Sequence, residues 1–591
     1  MLLIQDIQDS LFINKKEKER GYMKKRVLSI LLAATFTVSM FAGATIVSAA
    51  ENEATEETAS TGDFNITVNL ASEPQTMDPA LNTTSDGSNM ANHLFEGLMK
   101  WEDSGAEVNG SDGTAHSAQL APGQAESYEK TENEDGTVTY TFKLRDGIKW
   151  SDGKDVTAGD FEYAWKRLVD PATAADYSYM LDCVVNANEI IAGEKDASEL
   201  AVKAVDDKTF EVTLVNDLPY FEELCAFPAM MPVRQDIIEE AGDNWTFDVA
   251  TYISNGAYKM KEWTHNSQIV VEKNENYYDY EKLGPETITF KLMDNQNAML
   301  SGFNSGELDF IEDVPQAEIA NLIASGDMKI VDYIGTYYVC FQTQKAPFDD
   351  ARVRKAFSLA IDRTYIVNQV TQSGQVEAGG FVPAGVYDAE GATGDDFRTV
   401  GGDYYKPTDA DYEANCEEAR ALLAEAGYPD GEGFPVVEYL YNTSDAHKAV
   451  AEALQYMWEE ELGVKVTLNN QEWAAFLQTR KDGDYSIARN GWIADYNDPI
   501  SFLDMWMTGG GNNDAQYANE EYDSLIKEAK TTTDVKERME LLHKAEDKII
   551  GEDNALAPLY FYTQKYMLAD GIEGLYYCPL GYFFFGYTHQ A

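Results

Sequence analysis

The first candidate for chemistry is a carboxylate in IARNGWIADYNDP, residues 487–499. Asp495 follows Trp492, Ile493 and Ala494 and precedes Tyr496, while Arg489 lies six residues upstream. A carboxylate inside a mostly apolar, aromatic run needs something that offsets its desolvation. Two kinds of partner are open: an internal arginine, Arg489 or Arg480, or a cation from outside the chain. The second would make this segment a receptor for a compact cation through a charge-assisted hydrogen bond.

Patterns for catalysis are missing from the sequence. It holds no HExxH, no GxSxG, no Walker A loop, and no GxGxxG between a strand and a helix. Its 6 histidines are scattered, and its 102 Asp and Glu are too many for a glycosidase-like pair to carry weight. The 5 cysteines are odd in number, far apart and without a CxxC, so neither a zinc knuckle nor a thioredoxin-like motif is supported. An enzyme is the weaker class, and no cofactor or metal is expected.

The elements that must position Asp495 belong to a long chain. At 591 residues it exceeds one hydrophobic core, so two or three domains are expected. The first 49 residues hold seven Lys/Arg and four Asp/Glu, which leaves residues 50–591 at a net charge of −60. Such a field repels phosphate backbones and excludes nucleic acid as a partner class. From Met23, a candidate start, MKKRVLSILLAATFTVSMFAGATIVSAAENE reads as a secretory signal peptide. It has a basic opening at Lys24, Lys25 and Arg26, an apolar stretch to Ala44, and small residues at Val47-Ser48-Ala49 for cleavage before Ala50 or Glu51. No cysteine follows to take a lipid anchor. ENEATEETAST, residues 51–61, suits a disordered acidic tether.

Further on, periodicity becomes legible. TVTYTFKL (137–144) alternates, putting Val138, Tyr140, Phe142 and Leu144 on one face of a strand. DVTAGDFEYAWKRLV (155–169) carries Thr157 and Asp160 at capping-box spacing, then a helical face of Phe161, Ala164, Trp165 and Leu168. Strand 435–442, helix 445–462 ending at Gly463, and strand 464–468 predict a βαβ unit, hence parallel strands and an α/β domain.

Longer motifs carry a resemblance. SEPQTMDPA (72–80), NHLFEGLMKW (92–101), and YTFKLRDGIKWSDGKDVTAGDFEYAWKRLVDPATAADYSYM (140–180) come first. QKAPFDDARVRKAFSLAIDR (344–363), LLAEAGY (422–428), LYNTSDAHK (440–448) and NNQEWAAFLQTRKDGDYSIARNGWIADYNDPISFLDMW (469–506) follow in order. The chain, from about Phe64 almost to its end, resembles the extracytoplasmic solute-binding proteins of ABC importers, oligopeptide-binding family. The resemblance implies an α/β, two-lobed periplasmic-binding-protein-like fold with a hinge and an additional α/β domain. One lobe would combine 62–95, 234–333 and 563–591, the additional domain would be 96–233, and the second lobe 334–562. Residues 1–49 would be leader and 50–61 tether.

The resemblance also implies roles. The aspartate of its W-x-A-D-Y stretch, here Asp495, binds a peptide's free α-ammonium. Arg489 falls on an arginine that takes the carboxylate of short peptides, and His447 on a histidine that serves slightly longer ones. Asn442 and the backbone of Gly491 and Ile493 match groups that bond the peptide main chain. Tyr177, Trp473 and Trp492 match cleft-wall aromatics, while Arg480 is expected in a structural ion pair. Thr83, Cys340 and Thr371 stand where relatives carry two acidic residues and a lysine, so outer contacts depart from the family pattern. The implied partners are oligopeptides and an ABC permease with its cytoplasmic ATPase, and a monomer is expected. A relative specialised for a signalling peptide, metal chelate or sugar is the alternative, and a secreted hydrolase the weaker one.

Overall fold

A computed structural model describes residues 64–405 and 409–591; the leader and tether expected over 1–61 lie outside them. At the centre run two long antiparallel strands, Lys329–Phe341 and Leu556–Leu568. Their β-branched and aromatic sequences, KIVDYIGTYYVCF and LAPLYFYTQKYML, favour extended backbone. The register between them shifts at Asp332/Thr336 and again at Tyr337/Tyr338. Such bulges bend a strand and raise its twist.

These two strands join two halves of one eleven-stranded sheet. On one side lie Ile487–Ile493, then Val437–Asn442, then Val466–Gln471. On the other lie Phe310–Ile311, Asn65–Leu70, Thr287–Leu292, Gln268–Lys273 and Tyr258–Thr264, and the eleventh strand, Val376–Glu377, pairs with Leu556–Leu568 off this path. Two lobes therefore share a pair of strands, and motion between them must bend that pair.

The predicted βαβ unit is present. Val437–Asn442 and Val466–Gln471 pair in parallel, from Val437↔Val466 to Asn442↔Gln471. The second strand begins and ends later than the expected 464–468, because its pairing runs on to Gln471. Helix Asp445–Leu462 connects them, its Ser444 side chain accepting the His447 N–H and its end marked by Gly463 at φ +68°. A left-handed residue after the last turn is the usual role of glycine there.

Two four-stranded sheets and the short antiparallel pair Ile572–Glu573 with His589–Gln590 complete the described residues. One orders Ala125–Glu132, Val138–Leu144, Thr209–Leu214 and Val202–Asp206. Val138, Tyr140, Phe142 and Leu144 are buried, as the alternation predicts. Helix Ala158–Val169 packs on this sheet, and the Thr157 N–H donates to Asp160 Oδ2 at 2.8 Å in the capping box. It begins at Ala158, directly after the Thr157 cap that the spacing predicts, while Asp155 bridges to Lys149 in extended backbone. Phe161, Ala164, Trp165 and Leu168 are buried, and the Trp165 indole donates to Met230 O at 2.9 Å. In the other sheet Met99–Glu107 and His116–Pro122 continue into the C-terminal strands Tyr576–Cys578 and Tyr582–Phe584. All five cysteines are buried free thiols. No helix among the described residues is long and apolar enough to cross a membrane.

Candidate functional site

Strand Ile487–Ile493 delivers most of the candidates. Its whole length pairs with Lys329–Phe341, from Phe341↔Ile487 to Gly335↔Ile493. On its other edge Val437–Asn442 pairs with it only at Ile487 and Ala488. Arg489–Ile493 therefore present an edge with no ladder partner among the described residues, and such an edge is a template for an added strand. The Gly491 N–H, on this stretch, is met by the side chain of Asn490 at 2.8 Å. A Cβ on Gly491 would overlap the Tyr562 hydroxyl, so glycine is what lets this central strand lie against Tyr562.

Beside this edge lies a cavity of about 750 Å³. Its walls include Tyr177, His447, Trp473, Arg489, Gly491, Trp492, Ile493 and Asp495. Asn442 is not among them: it ends its strand opposite Gln471, with a buried Oδ1 that has no hydrogen-bond partner among the described residues. Of the three departures, Thr83 lines the cavity. Cys340 and Thr371 do not; Cys340 Sγ is buried 3.2 Å from the Tyr485 hydroxyl, and the Thr371 hydroxyl bonds Gln375 and Val367.

The question of Asp495's partner has a direct geometric answer. Asp495 is 8% exposed and makes no salt bridge among the described residues. The Tyr177 hydroxyl donates to Oδ1 at 3.1 Å, Ser501 Oγ lies 3.4 Å from Oδ2, and the Asp495 N–H donates to Ser501 Oγ at 2.8 Å. Burial pushes its carboxyl well above the usual range; the two hydroxyls pull against that, and Asp504 adds to it. Hydroxyl bonds alone leave a buried carboxylate under-compensated.

Arg480 is occupied: its Nε lies 2.6 Å from Asp514 and its Nη1 donates to Asn490 at 2.7 Å. Arg489 is different. It forms no salt bridge among the described residues, its Nε is buried without a partner, and its guanidinium lies 5.3 Å from the Tyr337 ring centroid. Phenols offset only part of a cation's desolvation. His447 faces the Tyr337 hydroxyl at 3.4 Å, and burial together with Arg489 and Lys565 pushes its pKa well below 6.5, so its ring is neutral at pH 7. The cavity thus holds a carboxylate lacking a cation and a guanidinium lacking an anion.

Other walls come from distant segments. Trp492 donates its indole N–H to Ser501 O at 2.7 Å and lies 6.3 Å from the Tyr177 ring, which fixes its face toward the cavity. Trp473 opens helix Trp473–Lys481 and stacks on Phe476. Glu312, Tyr562, Gln564, Lys565 and Tyr582 also line the space. None of them is a sequence-based candidate; the alternation Tyr560, Tyr562, Gln564, Tyr566 in YFYTQKYML was the available signal for part of this wall. The cleft is shut by contacts from the 174–223 region onto the Asp495 side. Lys530 bridges Asp182 at 2.5 Å and Asp504 at 3.0 Å, Lys481 pairs with Asp176, and the Asn497 N–H donates to Glu223 at 2.9 Å. No group of His, Cys, Asp and Glu suited to a metal ion occurs among the described residues.

Residues 119–514 match the bacterial extracellular solute-binding proteins, family 5. The periplasmic oligopeptide-binding protein OppA of Salmonella typhimurium is 38% identical over 511 residues, covering 86% of this chain and 88% of that protein. This chain therefore belongs to the family 5 solute-binding proteins, which are binding proteins and not enzymes. Haemophilus influenzae OppA in complex with RPPGFSPFR superimposes with TM-score 0.80 at 34% identity, covering 89% of this chain and 99% of that one. The murein tripeptide binding protein MppA of Escherichia coli gives TM-score 0.79 at 31% identity over 89% and 98%. The unliganded open form of MppA, also 31% identical and covering 88% and 96%, gives only 0.56. With the sequence held constant, the drop measures lobe arrangement: this structure has its lobes closed.

Proposed function

We propose that this chain is the extracytoplasmic oligopeptide-binding component of an ABC importer, which closes on an extended peptide and presents it to a membrane permease. The observation that carries the reading is the closed cavity whose two unmatched charges, Asp495 and Arg489, flank an unpaired strand edge. A zwitterionic peptide supplies what each lacks. Its α-ammonium answers Asp495, its carboxylate answers Arg489 when the peptide is short, and its main chain adds to the edge at Gly491 and Ile493. A longer peptide reaches His447 instead, whose protonation a carboxylate would favour. Tyr177, Trp473 and Trp492 then cover the ligand, and water in the remaining space accepts varied side chains. The cavity volume falls within the roughly 300–1,000 Å³ of enclosed ligand sites, which suits short peptides. The names and peptide complexes of relatives support the same substrate class, and an oligopeptide ABC transporter substrate-binding domain from Bacillus anthracis shares the fold.

Incubation with a mixed peptide pool, followed by mass measurement of what the purified protein retains, tests this reading. Intact free-amine peptides are expected in one-to-one complexes. Cleaved products would restore the hydrolase reading, and retention of a sugar or metal chelate alone would replace the substrate class.

Closure makes a second, independent expectation. Two lobes sharing bent strands move about that pair, and a ligand touching both shifts the population toward the closed form. Small-angle scattering should give a smaller radius of gyration with saturating peptide than without it, at constant mass. An unchanged profile would refute ligand-driven closure.

A further inference from the structure

Besides Asp495, one other carboxylate in the cavity wall lacks a cation among the described residues. Glu312 follows the short strand Phe310–Ile311, which pairs with Met567 and Leu568 on the half of the sheet opposite Asp495. Its Oε2 accepts from Gln564 Nε2 at 2.6 Å, and no salt bridge reaches it among the described residues. The neighbouring acids are matched: Asp313 pairs with Lys565 at 2.9 Å and accepts from Gln296, Asp514 pairs with Arg480, and Asp176 with Lys481. Lys565 is thus drawn to Asp313 and not to Glu312. Gln564 is an amide donor that orients the carboxylate without neutralising it.

We propose that Glu312 selects peptides carrying a lysine or arginine side chain, which it receives as a second cation besides the α-ammonium. This rests on the peptide-binding reading above. A cationic side chain would find a fixed acceptor oxygen, while an apolar one of the same length would leave Glu312 desolvated and unmatched. Burial holds the Glu312 carboxyl up at about 7, against the pull of Gln564 and Lys565 and with Asp313 adding to the rise. That places it where an arriving cation settles the ionised form. Because Glu312 and Asp495 come from opposite halves of the central sheet, a ligand meeting both ties side-chain selection to closure. The formal charge of −57 acts in the same sense at longer range, concentrating cationic peptides near the surface.

Titration calorimetry with tetra-alanine and its single lysine and single norleucine versions at positions two, three and four tests the proposal. Wild-type protein should prefer lysine over norleucine by about tenfold or more at one position. In Glu312→Gln the same ratio should fall to about twofold or less. The ratio is taken within one protein, so a general loss of affinity cancels, and a thermal melt verifies folding. Equal affinities for lysine and norleucine at every position, or an undiminished ratio in the variant, would overturn the selector while leaving peptide binding intact. Failure of tetra-alanine and of every lysine and norleucine version to bind would overturn both readings.

Discussion

N-acetylation of a bound peptide is expected to weaken its binding to this protein by roughly a hundred- to several-thousand-fold. Acetylation removes the ammonium charge and leaves Asp495 buried with only the Tyr177 and Ser501 hydroxyls for company. Breaking one side of a buried ion pair costs about 3–5 kcal/mol, at about 1.4 kcal/mol per decade of affinity. Asp495→Asn should produce a similar loss for the free peptide and little further loss for the acetylated one, because both changes remove one interaction. Arg489→Ala should weaken short peptides more than long ones. Calorimetric titration of a peptide and its acetylated form against wild type and Asp495→Asn decides the matter. Equal affinities of the two forms for the wild type would sink the ammonium anchor.

The second large effect concerns stability close to the same segment. Asp498, three residues beyond Asp495, forms a two-pronged pair with Arg538: Nη1 donates to Oδ2 at 2.8 Å and Nη2 to Oδ1 at 2.7 Å. Both side chains are buried, at 2% exposure for Arg538 and 4% for Asp498. The guanidinium also lies 5.5 Å from the Tyr220 ring centroid, and Tyr220 stacks on Tyr496 at 4.5 Å. Arg538→Met should keep most of the packing volume but strand the Asp498 carboxylate, lowering unfolding free energy by about 3–5 kcal/mol. Asp498→Asn combined with Arg538→Met should cost less than the two single changes added together. Chemical denaturation measures this. A loss below about 1 kcal/mol for Arg538→Met would mean that the pair merely breaks even with apolar packing.

Local structure was legible where one segment decides its own conformation. Val138 to Leu144 alternate because one face is buried, Thr157 and Asp160 cap their own helix, and Gly463 ends the helix begun at Ser444. The resemblance supplied the segment with Arg489 on strand Ile487–Ile493 and Asp495 two residues past its end. It could not supply the opposite wall. Glu312, Gln564 and Lys565 lie far along the chain from Asp495 and share its cavity only because the long strands 329–341 and 556–568 fold back on each other. Nothing local in GELDFIEDVP distinguishes a cavity carboxylate from a surface one, since the matching of Asp313 by Lys565 and the isolation of Glu312 depend on a strand some 250 positions away. Asn442 shows the reverse limit: its motif neighbours reach the cavity, while its own strand ends short of it.

If Asp495 anchors the peptide as proposed, its burial would also guard against a false signal. An empty molecule that shut its cleft would present the same outline as a loaded one, and a permease reading outline alone would be deceived. Shutting without a ligand, however, sequesters an anion from water with two hydroxyls in place of a cation. The raised pKa gives the sign: the closed empty form is favoured only where Asp495 is protonated and loses that advantage as pH rises. A penalty of about 3 kcal/mol would hold shut, vacant molecules to below about one in a hundred of the open ones. On the peptide-binding reading, an unmet charge in the binding site would thereby serve as the check that the cargo is aboard.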